Sequence, residues 1–242
     1  MTITTLEQLR SLYAQPQERA VKKEIPALDR HCRDFIGLSP FLVLSTCSRE
    51  HQMDASPRGG EPGFVKVTAD GQLLIPDAPG NNRLDSFENI VATGQVGLLF
   101  LIPSFDETLR VNGTAVLSTA AQDIAACLQG TAPERRPPRL VVRVRVTAAY
   151  LHCAKAFLRS KLWSASAKVD RLTLPTAGQM ISDQTGIYVA PETREAMEKR
   201  GAQWFWVEWD AEGESLYSGK PRICTDCHEP GADGVRAFGF PP

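Results

Sequence analysis

The chain has 242 residues, 43% hydrophobic and 23% charged, with a formal net charge of -1. That is enough apolar material for a sizeable core, in one large domain or in one domain with an appendage. The balanced charge excludes an overall basic field that would gather nucleic acid or an anionic membrane. No apolar run approaches the ~20 residues that span a bilayer.

Elements follow in chain order. Thr4-x-x-Glu7 has capping-box spacing and predicts a short helix with Leu6, Leu9, Leu12 and Tyr13 on one side. Pro26, favoured in a first helical turn, predicts a second helix bearing Leu28, Cys32, Phe35 and Ile36, stopped by Gly37. The pattern then becomes strand-like. Residues 41–46 are a short apolar run, 64–68 alternate, and 72–75 follow an Asp70-Gly71 turn, a strong hairpin signal.

Leu84, Phe87, Ile90 and Val91 predict a helix between Asn82 and Gly94, and strands return over 96–102 and 108–118. A helix over 121–129 and a Pro-rich loop over 133–138 come next. In the strand over 140–146, Val142, Val144 and Val146 alternate with Arg143 and Arg145, one face buried and one wet. From about Ala154 the chain turns helical, over 154–162, 176–184 and 191–200. Hairpin-like strands with few helices between them predict an antiparallel barrel with flanking helices, an α+β chain, not a doubly wound sheet. Neither a G-x-G-x-x-G nor a Walker sequence is present, which removes the usual dinucleotide and P-loop readings.

Six cysteines are present. Cys32, Cys47, Cys127 and Cys153 are scattered singly in apolar segments and read as reduced thiols. The opening residues carry no secretory apolar segment. Both features predict a cytoplasmic protein. A composition shift near Arg200–Gln203 suggests a domain over 1–200 and an extension over 201–242.

Arg58, Lys66 and Arg83 lie near strand ends or a helix start. A phosphate dianion needs charge-assisted donors, a bidentate guanidinium above all, with backbone N–H groups from a helix N-terminus. Asn82 and Arg83 open the predicted helix, so side chain and dipole act together there. By composition alone, the same residues also read as solvated charges beside turns.

The order of several segments resembles the FMN-binding split barrels of the pyridoxamine 5′-phosphate oxidase-like superfamily, in particular a subgroup of FMN-dependent proteins without assigned substrate. The matching pieces are the strand over 41–46, Asp54-Ala-Ser-Pro-Arg58-Gly-Gly, Leu74-Ile-Pro-Asp77, Asn81-Asn-Arg-Leu-Asp-Ser-Phe87-Glu-Asn-Ile90 and Leu109-Arg-Val-Asn-Gly113. Later come the segment from Cys153 to Trp163 and that from Pro175 to Thr185. The resemblance covers roughly residues 20 to 200. It implies a split β-barrel, a homodimer with FMN in two interface clefts, and a small-molecule redox substrate or electron donor.

The resemblance further implies that Arg58, Lys66, Asn82 and Arg83 hold the flavin phosphate, with Arg110 adding a contact from the same or the partner chain. Ser56, Val65, Pro76 and Asp77 would flank the isoalloxazine, and the segment carrying Lys155, Arg159, Lys161 and Trp163 would close the cleft. The flavin would carry the redox chemistry, so few catalytic side chains are required. The alternative is a non-catalytic flavin- or haem-binding module. The Arg-x-His signature of the well-studied oxidases is absent, so the resemblance does not extend to pyridoxamine phosphate as substrate. His31, His51 and His152 read as structural or surface histidines.

Near its end the chain carries Cys224-Thr-Asp-Cys227-His228 after Trp204, Trp206 and Trp209. Cys-x-x-Cys-His is the attachment pattern of c-type haem, and this segment is similar to the C-terminal end of small monohaem c-type cytochromes. Cys224 and Cys227 would be thioether sites and His228 the axial ligand, allowing a flavin–haem electron-transfer fusion. A reduced dithiol, half of a zinc site, or an unliganded relic are the other readings.

Overall fold

The computed structural model describes residues 2–131, 136–170 and 173–188. Two compact units divide the chain, Met1–Lys168 and Val169–Pro242. The first contains one seven-stranded antiparallel sheet in the order β2-β1-β5-β6-β7-β4-β3. Its strands are β1 (Phe41–Cys47), β2 (Met53–Gly59), β3 (Lys66–Val67), β4 (Leu73–Pro76), β5 (Gln95–Leu101), β6 (Thr108–Ser118) and β7 (Val141–His152). The edge strands β2 and β3 are not paired with each other, which makes the sheet a split barrel.

Alternation makes the core. Leu42, Leu44 and Thr46 of β1 face inward, opposite Phe100, Leu98 and Val96 of β5, all buried. Leu109 and Val111 of β6, and Val142 and Val144 of β7, continue that layer. A smaller cluster of Leu74, Cys127 and Val141 lies on the other face, with Ile124 packed against it from α5 (Ala121–Leu128). Within this cluster Asp123 accepts from Arg143 Nη1 at 2.7 Å and from Ser118 Oγ at 2.6 Å.

The predicted hairpin is present. Thr68 N–H donates to Gln72 O, Gly71 N–H donates to Thr68 O, and Gly71 has φ +81°. A register shift at Asn112/Gly113 marks a bulge between β6 and β7.

The N-terminal segment departs from expectation. The capping box is made by Thr5 and Gln8, one residue later than predicted, and opens α1 (Leu6–Arg10). An unforeseen helix, α2 (Glu18–Lys22), follows. The next, α3 (Arg30–Leu38), starts beyond Pro26, because the Asp29 carboxylate accepts from the Cys32 N–H and sets the cap there. The strand over 64–68 shortens to β3, and β7 runs six residues further than expected, to His152.

α4 (Asp85–Thr93) buries Ser86, Phe87 and Ile90 and ends on Gly94 at φ +67°. Beyond β7, α6 (Lys155–Ser160) belongs to the first unit, and α7 (Ala177–Thr185) belongs to the second. No helix among the described residues is long and apolar enough to cross a membrane. The helix expected over 191–200, the aromatic run from Trp204 to Trp209, and Cys224, Cys227 and His228 lie outside the described residues.

Candidate functional site

β2 carries the site because its inward face is polar. Pairing with β1 sets Ser56 opposite Leu44 and Arg58 opposite Leu42, so Asp54, Ser56 and Arg58 point to the core side while Ala55 and Pro57 point away. α4 covers that face. Ser86 Oγ donates to Asp54 Oδ2, and Asn89 Nδ2 donates to Thr46 Oγ1 at 2.9 Å. Phe87 is thereby held under the Arg58 guanidinium, 5.1 Å from ring centre to Cζ.

Arg58 Nε is buried and has no hydrogen-bond partner among the described residues. A buried donor left unmade costs about 1–3 kcal/mol, so this orientation wants an acceptor. Asp77, at the end of β4, is one neighbour whose charge interacts with Arg58. Burial pushes its carboxyl above the ordinary range, opposed by the Ala78 N–H and by the charges of Arg58 and Arg139. Its own N–H donates to Leu140 O, which anchors the strand end.

The N-terminus of α4 has no side-chain cap. Asn82 precedes it in the left-handed region at φ +61°, a conformation Asn tolerates, and Arg83 N–H donates to Asn81 Oδ1. Arg83 Nε pairs with Asp85 Oδ2 at 2.5 Å while both side chains stay largely exposed. That pair raises the Arg83 guanidinium above its ordinary value, and the Asp54 charge adds to the effect.

The expected residues divide into groups. Ser56 and Arg58 share the inward face of β2, and the charge of Asp54 on that face reaches Arg83. Val65 is in the core, and Pro76 ends β4 opposite Val141. Lys66 pairs with Leu74, whose side chain belongs to the outer cluster, so Lys66 stands on the other face from Arg58. Arg110 pairs with Leu99 and Tyr150 on the outward face of the sheet. Within one chain, Lys66 and Arg110 do not join Arg58.

Lys155 and Arg159 lie on α6, and Lys161 follows as its C-cap at φ 52°, all three exposed. Trp163 stacks on Phe157 at 5.7 Å and its Nε1 donates to Phe105 O at 2.7 Å. The segment is thus fastened to the β5–β6 loop. Sequence reasoning missed the parts of Phe87, Ser86 and Arg139. The first two read as ordinary helix positions, and Arg139 as one more charge after a Pro-rich loop.

A donor-rich inward face beneath a helix start is the setting in which the comparisons fall. The family described as pyridoxamine 5′-phosphate oxidase matches residues 28–153, just over half of the chain. The chain belongs to this family. The matched span runs from α3 through β7 and includes Arg58, Asp77 and Arg83.

Among solved structures, HupZ from Group A Streptococcus is 17% identical, with TM-score 0.41, covering 50% of this chain and 91% of that one. An FMN-binding protein from Syntrophomonas wolfei subsp. wolfei is 13% identical, with TM-score 0.39, covering 50% and 83%. The FAD binding protein from Mycobacterium smegmatis is 14% identical, with TM-score 0.38, covering 53% and 96%. Likeness this slight says nothing about what the present chain binds. Comparison with curated proteins found no match.

Proposed function

We propose that this member of the pyridoxamine 5′-phosphate oxidase family is an FMN-binding flavoprotein, an oxidoreductase that works as a homodimer on a small molecule. The observation that carries the reading is the buried, unpartnered Nε of Arg58 beneath α4. An anionic oxygen fits that donor, and Phe87 holds the guanidinium plane for it. The residues present therefore suit a phosphate-bearing cofactor.

Arg58 would give the phosphate its guanidinium donors. The first-turn N–H groups of α4 would add the helix-terminus field. Arg83 would exchange Asp85 for the phosphate, and Asn82 would shape the turn that admits it. Ser56, Val65, Pro76 and Asp77 would border the ring system. Lys66, Arg110, Lys155, Arg159, Lys161 and Trp163 enter this reading only through resemblance. When bound, the flavin supplies hydride or electron transfer at its ring.

The outward sheet face supports a homodimer. It presents Phe41 and Met53, the latter 72% exposed, beside Val43 and Leu99. Cys32, Cys47 and Cys153 are free thiols among the described residues, which supports a reducing, cytoplasmic setting.

The test is the absorption spectrum of the purified protein and of its acid filtrate, for the parent and for Arg58→Ala combined with Arg83→Ala. The parent is expected to show flavin bands near ~450 nm that pass the filter, and the double variant to lose them. Stoichiometric FMN in the double variant would place the phosphate elsewhere. Oxidation of a reduced nicotinamide with an added acceptor then separates an enzyme from a flavin carrier.

A further inference from the structure

Arg58 and Asp77 come from strands on opposite sides of the split in the barrel. β2, which carries Arg58, is one edge of the sheet. β3, at the other edge, pairs with Leu73 and Leu74, and β4 runs on past it to Pro76, paired there with Val141. The Asp77 N–H then donates to Leu140 O at 3.0 Å, which fixes the backbone of the residue at the strand end. The Asp77 carboxylate accepts from the Ala78 N–H and interacts with the charges of Arg58 and Arg139. Arg58 belongs to β2, and exposed Arg139 to the segment leading into β7. One carboxylate is thus shared between two guanidinium groups from different elements.

Among the described residues, Asp77 forms a direct ion pair with neither of them. Phe87 sets the plane of the Arg58 guanidinium, and its Nε stays open although a carboxylate is a neighbour. Asp54, the other carboxylate on the Arg58 face, accepts from Ser86 Oγ. Asp77 is therefore the negative charge that an anion arriving at Arg58 has to meet.

We propose that Asp77 is the resident counter-charge of the Arg58 site, displaced when a phosphate group binds there, and that Arg139 is the positioning residue that draws its carboxylate away. The inference rests on the phosphate reading of Arg58 and adds its regulation. An ionised Asp77 repels the phosphate, and a protonated one does not. Burial already raises its carboxyl above the ordinary range, against the Ala78 N–H and the charges of Arg58 and Arg139. A phosphate beside it raises it further, so binding takes up a proton from solvent. Affinity for the phosphate therefore falls as pH rises through the Asp77 value. Arg139 limits that fall by holding the ionised carboxylate on its own side.

The experiment follows flavin fluorescence as the full chain, stripped of bound flavin, is titrated with FMN or with riboflavin, which lacks the phosphate. Asp77→Asn is expected to bind FMN about threefold tighter or more than the parent at neutral pH, with the ratio falling to unity in acid. The phosphate of FMN ionises over a similar range, equally for both proteins, so the ratio isolates Asp77. Riboflavin is expected to bind both proteins alike. At alkaline pH, Arg139→Gln is expected to weaken FMN severalfold in the parent and much less in Asp77→Asn. A ratio of unity at every pH, one that persists into acid, or one equally present with riboflavin would overturn the proposal. So would an Arg139→Gln loss of equal size in both backgrounds, which would put that guanidinium on the phosphate itself. Weaker FMN binding by Asp77→Asn would overturn it by making the carboxylate a ligand. FMN bound no tighter than riboflavin by the parent would overturn the Arg58 reading and this proposal with it. FMN bound tighter, but alike by parent and Asp77→Asn, would overturn this proposal alone.

Discussion

Arg58 rests its guanidinium on the ring of Phe87, 5.1 Å from its centre, and leaves its buried Nε without a partner among the described residues. Such a group costs stability in the empty chain and repays it when an anion arrives. Arg58→Leu is therefore expected to lose flavin while its apo form unfolds at the same temperature as the apo parent, or higher. The unmade donor costs about 1–3 kcal/mol, while the lost cation–π contact is worth about 0.5–2 kcal/mol. Thermal unfolding of both apo proteins checks this. A clearly lower transition in the variant would mean that Arg58 is a structural residue.

Asp77 offers a pH dependence of known sign. Burial raises its carboxyl above the ordinary value. A raised carboxyl holds its proton more tightly in the folded chain than in the unfolded one. Its cost to stability is thus absent below the unfolded value, grows as pH rises through the folded value, and is full above it. Asp77→Asn keeps an oxygen for the Ala78 N–H and removes the ionisation. The variant is expected to be more stable than the parent at neutral pH, with the gain vanishing under acid conditions. Urea unfolding across a pH series measures it. A gain that persists unchanged into acid would trace to something other than the carboxylate.

The strands were readable where periodicity was clean. β6 occupies Thr108–Ser118 as expected, and the Asp70-Gly71 turn makes its hairpin. β2 has no apolar alternation, because its inward residues are Asp54, Ser56 and Arg58. Only the resemblance indicated a strand there. Facing was less readable than position. Lys66 and Arg110 carry the right charge near the right elements, but their side is fixed by pairing to Leu74 and Leu99. One-residue changes of register reverse a side chain's face, and pairing across distant segments leaves no local trace. α2 buries none of its residues, so it left no apolar stripe to find.

Asp123 and Arg143 form a largely buried ion pair at 2.7 Å, with Asp123 only 3% exposed. Gln72 Oε1 also accepts from Arg143 Nε at 3.0 Å, tying β4 and β7 to α5. Arg143→Met leaves the carboxylate with Ser118 as its one side-chain donor among the described residues. Removing one partner of a buried pair costs about 3–5 kcal/mol, so a drop near the lower end is expected in chemical denaturation. Asp123→Leu added to Arg143→Met is expected to recover most of it. A double variant no better than the single would show that packing, not the orphaned charge, sets the cost.

Gly113 stands where β6 meets the bulge in β7. A Cβ built there would lie 2.2 Å from Arg145 O and 3.1 Å from Val144 Cγ1. The first of these neighbours is backbone, which cannot rotate aside as a long side chain would. Gly113→Ala must push β7 away from β6 at the register shift, and overpacking of this kind costs about 1–3 kcal/mol. Gly130, with open space around its Cα, is the control for position, though its φ of +71° adds backbone strain to any substitution. The Gly113 variant is expected to lower the denaturation midpoint and to speed amide exchange at Ala148 and Ala149, beside the bulge. Unchanged exchange there, despite a lowered midpoint, would place the damage elsewhere in the sheet.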